Sequence, residues 1–323
     1  MAKKIGLVGI YFPGAYDTLH ENVPEGFELV DALSPEAYGN LADCEYLISR
    51  LDIDPDIINH TPHVKFWQRW GAGFDHVDLK AWGERGIPIA TCPGVNSGIV
   101  AELAIMLMLA GYRNLLQINR QLLEGHFPRT EYFGRSFMIK GKTVGVLGLG
   151  HIGKKVAALV TAFGANVIYY DILRQPDQEE KYGYRFVDFD TLLEQSDIFT
   201  VHCPLNEETR GMISFEQFKK MKPSAMLINT ARGPIVDEAA MIDALTTGKI
   251  ATAGLDTYEH EPLPKDHPLL KLDNVVASAH AGGNTKDNDI NMVNYVYHNI
   301  VAFDRGEPLK TPGDIVNGEF LKK

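Results

Sequence analysis

Short apolar runs alternate with amphipathic stretches along almost the whole chain. Runs at residues 4–10, 27–30, 45–49, 65–69 and 88–91 are rich in aliphatic and aromatic side chains and are bounded by turn-forming residues. Apolar runs of this kind suit strands covered on both faces, so the pattern predicts a small parallel sheet with helices on either side. The turn-rich stretch Cys92-Pro-Gly-Val-Asn-Ser then leads into an apolar helix over 99–111, with Asn96 or Ser97 placed to cap its open N–H groups. After a polar, aromatic-containing arm over 115–136, strands resume at 143–147 and 166–170. They continue near 186 and at 198–201, 226–228, 253–255 and 275–279, which predicts a second, larger doubly wound sheet. A last helix over 290–304, closed by Gly306, is placed to return to the first domain. The fold class read from this order is α/β, with two doubly wound parallel-sheet domains: residues 1–98, an inserted domain over 99–287, and a return over 288–323.

Composition agrees with two cores. A chain of 323 residues is long for one core, and 45% hydrophobic with 23% charged residues is ordinary globular composition. The starting expectation is two domains with a cleft between them. A formal net charge of -11 repels phosphate backbones and anionic head groups, which argues against nucleic acid and membrane as partners. Cys44, Cys92 and Cys203 are widely spaced with no CxxC pair, so neither a disulfide ladder nor a metal site is expected, and a reducing cytoplasm fits. The first residues run into a strand without the apolar stretch of an export signal. The helix over 99–111 carries Glu102 and falls short of the roughly 20 residues of a membrane span. No regulatory extension is expected after Val316.

Chemistry first appears at Gly148-Leu-Gly150-His-Ile-Gly153, set between a buried strand and an amphipathic helix. Gly148 permits the tight turn, Gly150 lets a pyrophosphate approach the backbone, and Gly153 lets the helix pack close to the strand, as in a Rossmann dinucleotide site. The next strand ends in Asp171, roughly 20 residues on, where a carboxylate accepts hydrogen bonds from the adenosine ribose and repels a 2′-phosphate. That favours NAD over NADP, although Asp171 also reads as an ordinary cap and Arg174 is near enough to soften the discrimination. His151 reads equally as a phosphate contact or as a solvent-exposed side chain.

In open α/β sheets ligands bind beyond the carboxyl ends of the strands. Arg232, Glu261 and His280 follow three strands of the second sheet at that edge. Oxidation of a hydroxy acid needs a base for the hydroxyl proton, a hydride acceptor, and a cation for the carboxylate. His280 and Arg232 suit the first and third needs, and a carboxylate such as Glu261 beside the imidazole stabilises its charged form. Each residue alone has a structural reading as a loop or cap residue. His202 is a rival base whose position suits a wall beside the nicotinamide ribose, and spacing alone does not separate Glu261 from Glu259 and His260.

Together these motifs resemble the D-isomer-specific 2-hydroxyacid dehydrogenase family over nearly the whole chain. The resemblance rests on Gly71-Ala-Gly-Phe-Asp-His-Val-Asp-Leu, Pro93-Gly-Val-Asn-Ser, the dinucleotide turn, Val201-His-Cys-Pro-Leu, Asn229-Thr-Ala-Arg-Gly, Gly254-Leu-Asp-Thr-Tyr-Glu-His-Glu-Pro and Ser278-Ala-His-Ala-Gly, in that order. It implies a Rossmann NAD domain inserted in a smaller flavodoxin-like substrate domain. It puts the catalytic arginine, glutamate and histidine on Arg232, Glu261 and His280, and so selects Glu261 over Glu259. It puts the family's aspartate near the nicotinamide on Asp256, and further cofactor contacts on Ile152, His202, Cys203, Pro204, Thr209, Thr230, Ala231 and Gly282. It puts the carboxylate cradle on Ala72 and Gly73, with Asn96 in the same cleft.

The implied substrate is a small 2-hydroxy or 2-oxo acid. The implied partner is a second copy, in a homodimer built largely on the cofactor domain with the arm over 115–136 taking part. Trp67, Arg69 and Trp70 depart from the usual small aliphatic run before Gly71 and make that approach bulkier. Arg50 reads either as the holder of a second anionic group or as a solvated surface residue. The family also includes NAD-sensing corepressors, the alternative to an enzyme.

Overall fold

Every apolar run read as a strand pairs into one of two parallel sheets. The computed structural model describes residues 2–50, 53–75, 77–311 and 313–321, so His76 of the Gly71 motif lies outside the described residues. The chain divides into two compact units, Met1–Asn96 with Asn284–Lys323, and Ser97–Gly283.

In the first unit, β1 (Lys3–Val8), β2 (Phe27–Ala32), β3 (Tyr46–Ser49), β4 (Phe66–Arg69) and β5 (Ile89–Ala90) lie in the order β2-β1-β3-β4-β5 with every pair parallel. This is the flavodoxin-like order. Leu19 of α1 (Pro13–Glu21) and Val293, Val296 and Ile300 of α10 (Lys286–Arg305) share a core with Ile5, Ile48 and Phe66. Trp82 of α2 (Leu79–Glu84) packs with Leu41, Leu47 and Trp67 in a second core. Because successive strand residues face opposite ways, Phe66 joins one core and Trp67 the other. Trp67 is therefore 1% exposed and donates its indole N–H to Ser49 Oγ at 2.6 Å. This corrects the expectation that Trp67 crowds the approach to Gly71: the alternation of β4 turns it into the core. Arg69 is also buried, and Trp70 meets the Tyr11 ring edge-on at 5.7 Å.

In the second unit, β6 (Thr143–Leu147), β7 (Asn166–Tyr170), β8 (Arg185–Phe186), β9 (Ile198–Val201), β10 (Met226–Asn229), β11 (Thr252–Leu255) and β12 (Val275–Ala277) form one parallel sheet in the order β12-β11-β10-β9-β6-β7-β8. Counted from β6, this is the Rossmann order with a seventh strand added, and the order reverses between β6 and β9. Leu107 of α3 (Ser97–Tyr112) and Val156 of α5 (His151–Ala162) share a core with Val144, Met226 and Ile228. Leu192 of α7 (Phe189–Gln195), Phe218 of α8 (Phe215–Lys220) and Met241 of α9 (Glu238–Thr246) share another with Phe199 and Leu227. The short α6 (Pro176–Tyr182) follows β7. Glycines bring α3 onto the sheet: a Cβ on Gly254 would stand 2.9 Å from Leu107 Cβ, and one on Gly111 2.5 Å from Met226 Cε. A side chain on Gly254 would push Leu107 and α3 off the sheet, at a cost of about 1–3 kcal/mol, whereas at Gly111 the Met226 methyl can swing aside.

The arm after α3 opens with a helix, α4 (Leu115–Leu123), and no single helix among the described residues is long and apolar enough to cross a membrane.

Candidate active site

The turn after β10 is built by Asn229, whose side-chain oxygen accepts Ala231 N–H at 3.0 Å and whose amide donates to the Arg232 carbonyl at 2.9 Å. It presents Arg232 half-buried, with one guanidinium N–H on the Ala231 carbonyl at 2.8 Å. A Cβ on the next residue, Gly233, would lie 1.9 Å from the Tyr258 carbonyl carbon. Only glycine lets this turn press against the loop that follows β11.

Asp256, 1% exposed at the end of β11, holds the segment after β12 by its backbone. Its carboxylate accepts Ala281 N–H and Gly282 N–H, each at 2.9 Å, and its carbonyl accepts His280 N–H at 2.8 Å. His280 takes a φ of +50° within this grip. A left-handed non-glycine residue costs of order 1 kcal/mol and persists only where its surroundings enforce it. The grip aims the ring at Glu261: His280 Nδ1 lies 2.6 Å from Glu261 Oε2, and Glu261 Oε1 accepts Tyr258 N–H at 3.0 Å. Burial pushes the Glu261 carboxyl up. The bonds from His280 and Tyr258, with the charges of His280 and Arg232, outweigh burial and hold it below its ordinary value. Arg232, Glu261 and His280 are thus brought to one electrostatic cluster in the second unit, and of the neighbouring carboxylates and imidazoles of this loop it is Glu261 that meets His280 Nδ1.

The dinucleotide turn lies where the strand order reverses. Gly148 has a φ of +90°, and a Cβ there would stand 2.7 Å from Cys203 N, so the turn after β6 packs on the turn after β9. A Cβ on Gly153 would stand 2.0 Å from the Gly148 carbonyl oxygen, while one on Gly150 would meet nothing within 4 Å. Helix and turn are closed against each other, and the backbone at Gly150 is open. α5 begins there without a side-chain cap, leaving its first N–H groups to an anion. His151 is exposed and Ile152 partly buried behind it.

Asp171 accepts Leu149 N–H at 2.7 Å and Leu173 N–H at 3.0 Å, so it braces the turn it follows. Arg174 is clasped by Glu179, Nε to Oε1 at 2.8 Å and a terminal nitrogen to Oε2 at 2.7 Å.

Along the same edge, His202 Nδ1, Thr230 Oγ1 and Thr257 Oγ1 are buried with no hydrogen-bond partner among the described residues. Buried polar atoms are normally satisfied, so three such atoms on the sheet edge that carries the open phosphate turn fit a polar ligand such as a dinucleotide. His202 Nε2 lies 2.8 Å from Thr200 Oγ1, and burial drives the ring down to about 3, so it is neutral near neutral pH. Burial pushes the Cys203 thiol up to about 12. Thr209 Oγ1 donates to the Pro204 carbonyl at 2.7 Å and accepts Asn206 N–H at 2.9 Å, closing an exposed turn. Gly282 is buried, with room for a Cβ only 3.0 Å from Asp256 Oδ2.

The remaining candidates belong to the first unit. Arg50, 9% exposed, follows β3, donates to the Ile10 carbonyl at 2.9 Å and Asn284 Oδ1 at 3.3 Å, and lies 4.1 Å above the Phe12 ring. The solvated reading of Arg50 is thereby corrected, since the end of β3 buries it. Ala72 is exposed, the Gly73 carbonyl accepts Arg69 Nε at 3.4 Å, and Asn96 Oδ1 accepts Asn288 Nδ2 at 2.7 Å. Sequence reasoning missed Tyr258 as a support and missed the half-buried pair of His267 and Glu238, 2.9 Å apart. No spacing rule joins residues that meet only through the fold.

A model of the NAD-binding domain of D-isomer-specific 2-hydroxyacid dehydrogenases matches residues 105–282. The chain is 38% identical to a glyoxylate reductase of Korarchaeum cryptofilum over 284 residues, 87% of this chain and 85% of that protein. It is 42% identical to a D-3-phosphoglycerate dehydrogenase of Archaeoglobus fulgidus over 262 residues, 81% of this chain but 49% of that protein, so it spans about half the length of this relative. A D-isomer-specific 2-hydroxyacid dehydrogenase of Lactobacillus delbrueckii ssp. bulgaricus, solved with NAD, superposes with a TM-score of 0.79 at 28% identity, covering 97% of this chain and 100% of that one. Sheet order, open phosphate turn and sequence likeness agree: the chain belongs to the D-isomer-specific 2-hydroxyacid dehydrogenase family and carries its NAD-binding domain.

Proposed function

We propose that this protein moves a hydride between nicotinamide and C2 of a small D-2-hydroxy or 2-oxo acid. The observation that carries the reading is the 2.6 Å contact of His280 Nδ1 with Glu261, beside Arg232 and on the sheet that bears the dinucleotide turn. NAD supplies the hydride acceptor, and NADH the donor, when bound. Glu261 engages Nδ1 and stabilises the imidazolium, so proton exchange with the substrate oxygen falls to His280 Nε2. In reduction the ring gives that proton, and in oxidation it takes it. Arg232 offers a planar fork that holds the substrate carboxylate and draws electron density from the C2 oxygen. His202, neutral and buried, serves the cofactor wall rather than the proton. Gly148, Gly150, His151, Ile152 and Gly153 would take the pyrophosphate; Asp171 the adenosine ribose; Cys203, Pro204, Thr209, Thr230, Ala231, Asp256 and Gly282 the nicotinamide half. Arg50, Ala72, Gly73 and Asn96 are the substrate contacts we assign to the first unit.

A homodimer built largely on the cofactor domain with the arm after α3 taking part, and a reducing cytoplasm, which suits the free thiols Cys44, Cys92 and Cys203, complete the reading.

The test is NADH oxidation across pyruvate, glyoxylate, hydroxypyruvate, phenylpyruvate, 2-oxoisocaproate and phosphohydroxypyruvate. Turnover is expected with one or more. His280→Ala should lower kcat by a factor of about 100 or more while NADH binding stays near wild type. Silence across the panel with NADH tightly bound would replace this reading by an NAD-sensing one.

A further inference from the structure

One loop of the second unit touches the supports of all three residues assigned to catalysis. Tyr258, 6% exposed, donates its N–H to Glu261 Oε1 at 3.0 Å and its hydroxyl to the Ser278 carbonyl at 2.6 Å, two residues before His280. Its carbonyl oxygen lies where a Cβ on Gly233, next to Arg232, would stand 2.0 Å away. From the other side the loop is tied to the first turn of α9. Glu238 Oε2 accepts Glu259 N–H at 3.4 Å, and Glu238 Oε1 lies 2.9 Å from His267 Nε2. Leu269 N–H donates to His267 Nδ1 at 3.4 Å, so the ring proton sits on Nε2 and faces Glu238. The two side chains are 13% and 15% exposed, so little water competes for the hydrogen bond between them.

Between these anchors Glu259, His260, Glu261 and Pro262 are all exposed. A loop so exposed does not by itself hold a carboxylate 2.6 Å from an imidazole; its backbone must be fixed from below. We infer that Tyr258 and the Glu238–His267 pair are positioning residues, which fix the loop backbone so that Glu261 stays against His280. Neither belongs to the proton or carboxylate chemistry. The inference rests on the acid/base role proposed for His280, because misplacement by about 1 Å costs on the order of 100-fold in rate.

Glu238→Ala removes both acceptors, whereas Glu238→Gln keeps one. In the NADH-loaded protein, Glu238→Ala should lower kcat about tenfold or more with the NADH Kd unchanged. Glu238→Gln should recover most of that loss. The low-field proton resonance of His280 Nδ1–H, identified by its absence in His280→Ala, should shift or broaden in Glu238→Ala. Wild-type kcat and an unmoved resonance, with only a lower unfolding midpoint, would overturn the inference. If Glu238→Ala does not fold, Tyr258→Phe keeps the packing and removes only the hydroxyl, and an unmoved resonance there is equally fatal. A wild-type protein inactive on every acid defeats the proposed function separately, and the resonance still decides the positioning.

Discussion

Asp171 and Arg174 carry opposite signs at the edge where an adenosine ribose would lie, and their partners decide which sign prevails. Glu179 clasps the Arg174 fork, and that bond together with one from Tyr169 holds the Glu179 carboxyl down to about 2, ionised at any working pH. A guanidinium so engaged is poorly placed to receive a 2′-phosphate, while the Asp171 carboxylate repels one. Glu179→Gln frees the fork without changing its length. The ratio of kcat/KM for NADPH to that for NADH should then rise about tenfold, the worth of one charge-assisted contact. An unchanged ratio would mean that Asp171 alone, or the turn, sets the preference. The sequence had Arg174 beside Asp171 but not its engagement, which depends on where α6 puts Glu179. His202 shows the same limit: as a letter it rivals His280, and burial, which no motif prints, removes it.

At the scale of elements, Asp197 heads β9 and ties neighbouring elements to it. It accepts Thr143 N–H from β6 at 2.8 Å, takes Lys222 Nζ at 2.8 Å, and its carbonyl accepts Met226 N–H from β10. Burial pushes its carboxyl up, but the bonds from Lys222 and Thr143 prevail and hold it below the ordinary value. A depressed carboxylate stabilises the fold above its unfolded pKa, and that contribution is lost as pH falls through its folded pKa. Asp197→Ala should therefore lower unfolding free energy by about 2 kcal/mol near neutral pH. The gap from wild type should close as pH falls through the depressed carboxylate range, as read by urea unfolding at several pH values. A gap that persists in acid would assign the effect to lost packing instead. The strands themselves were legible because each is an apolar run between turn residues. Helix ends were less so: α10 begins with Lys286, Asp287, Asn288 and Asp289, a polar first turn that suits the helix dipole but hides the helix from a search for apolar periodicity. In the sequence α4 reads only as part of the arm over 115–136, and the fold adds what periodicity does not contain, that its leucines meet no core.

For the molecule as a whole, those leucines matter most. α4 has no buried residue, yet it is anchored to the second unit by Arg120 and Asp273 at 2.8 Å. Leu123 is 81% exposed, and Phe127 and Phe133 nearby are 74% and 78% exposed. A held helix with an uncovered apolar face, followed by exposed aromatics, is the surface that the proposed homodimer would cover. The motif order made the two-domain class and the site edge readable from sequence, but whether apolar residues are covered is decided only once the fold shows which ones the core omits. Each copy carries a formal charge of -11, so self-association works against long-range repulsion that salt screens. The protein should elute with twice the 35.9 kDa chain mass in light scattering, more completely as salt rises. Leu123→Glu with Phe133→Glu adds buried charge to both copies at once, because a two-fold interface repeats every change. That pair should give monomers which still bind NADH, since neither residue lies on the dinucleotide turn. A wild-type chain that stays monomeric at micromolar concentration and high salt would show that a second copy does not cover this face, and would remove the homodimer from the proposed function.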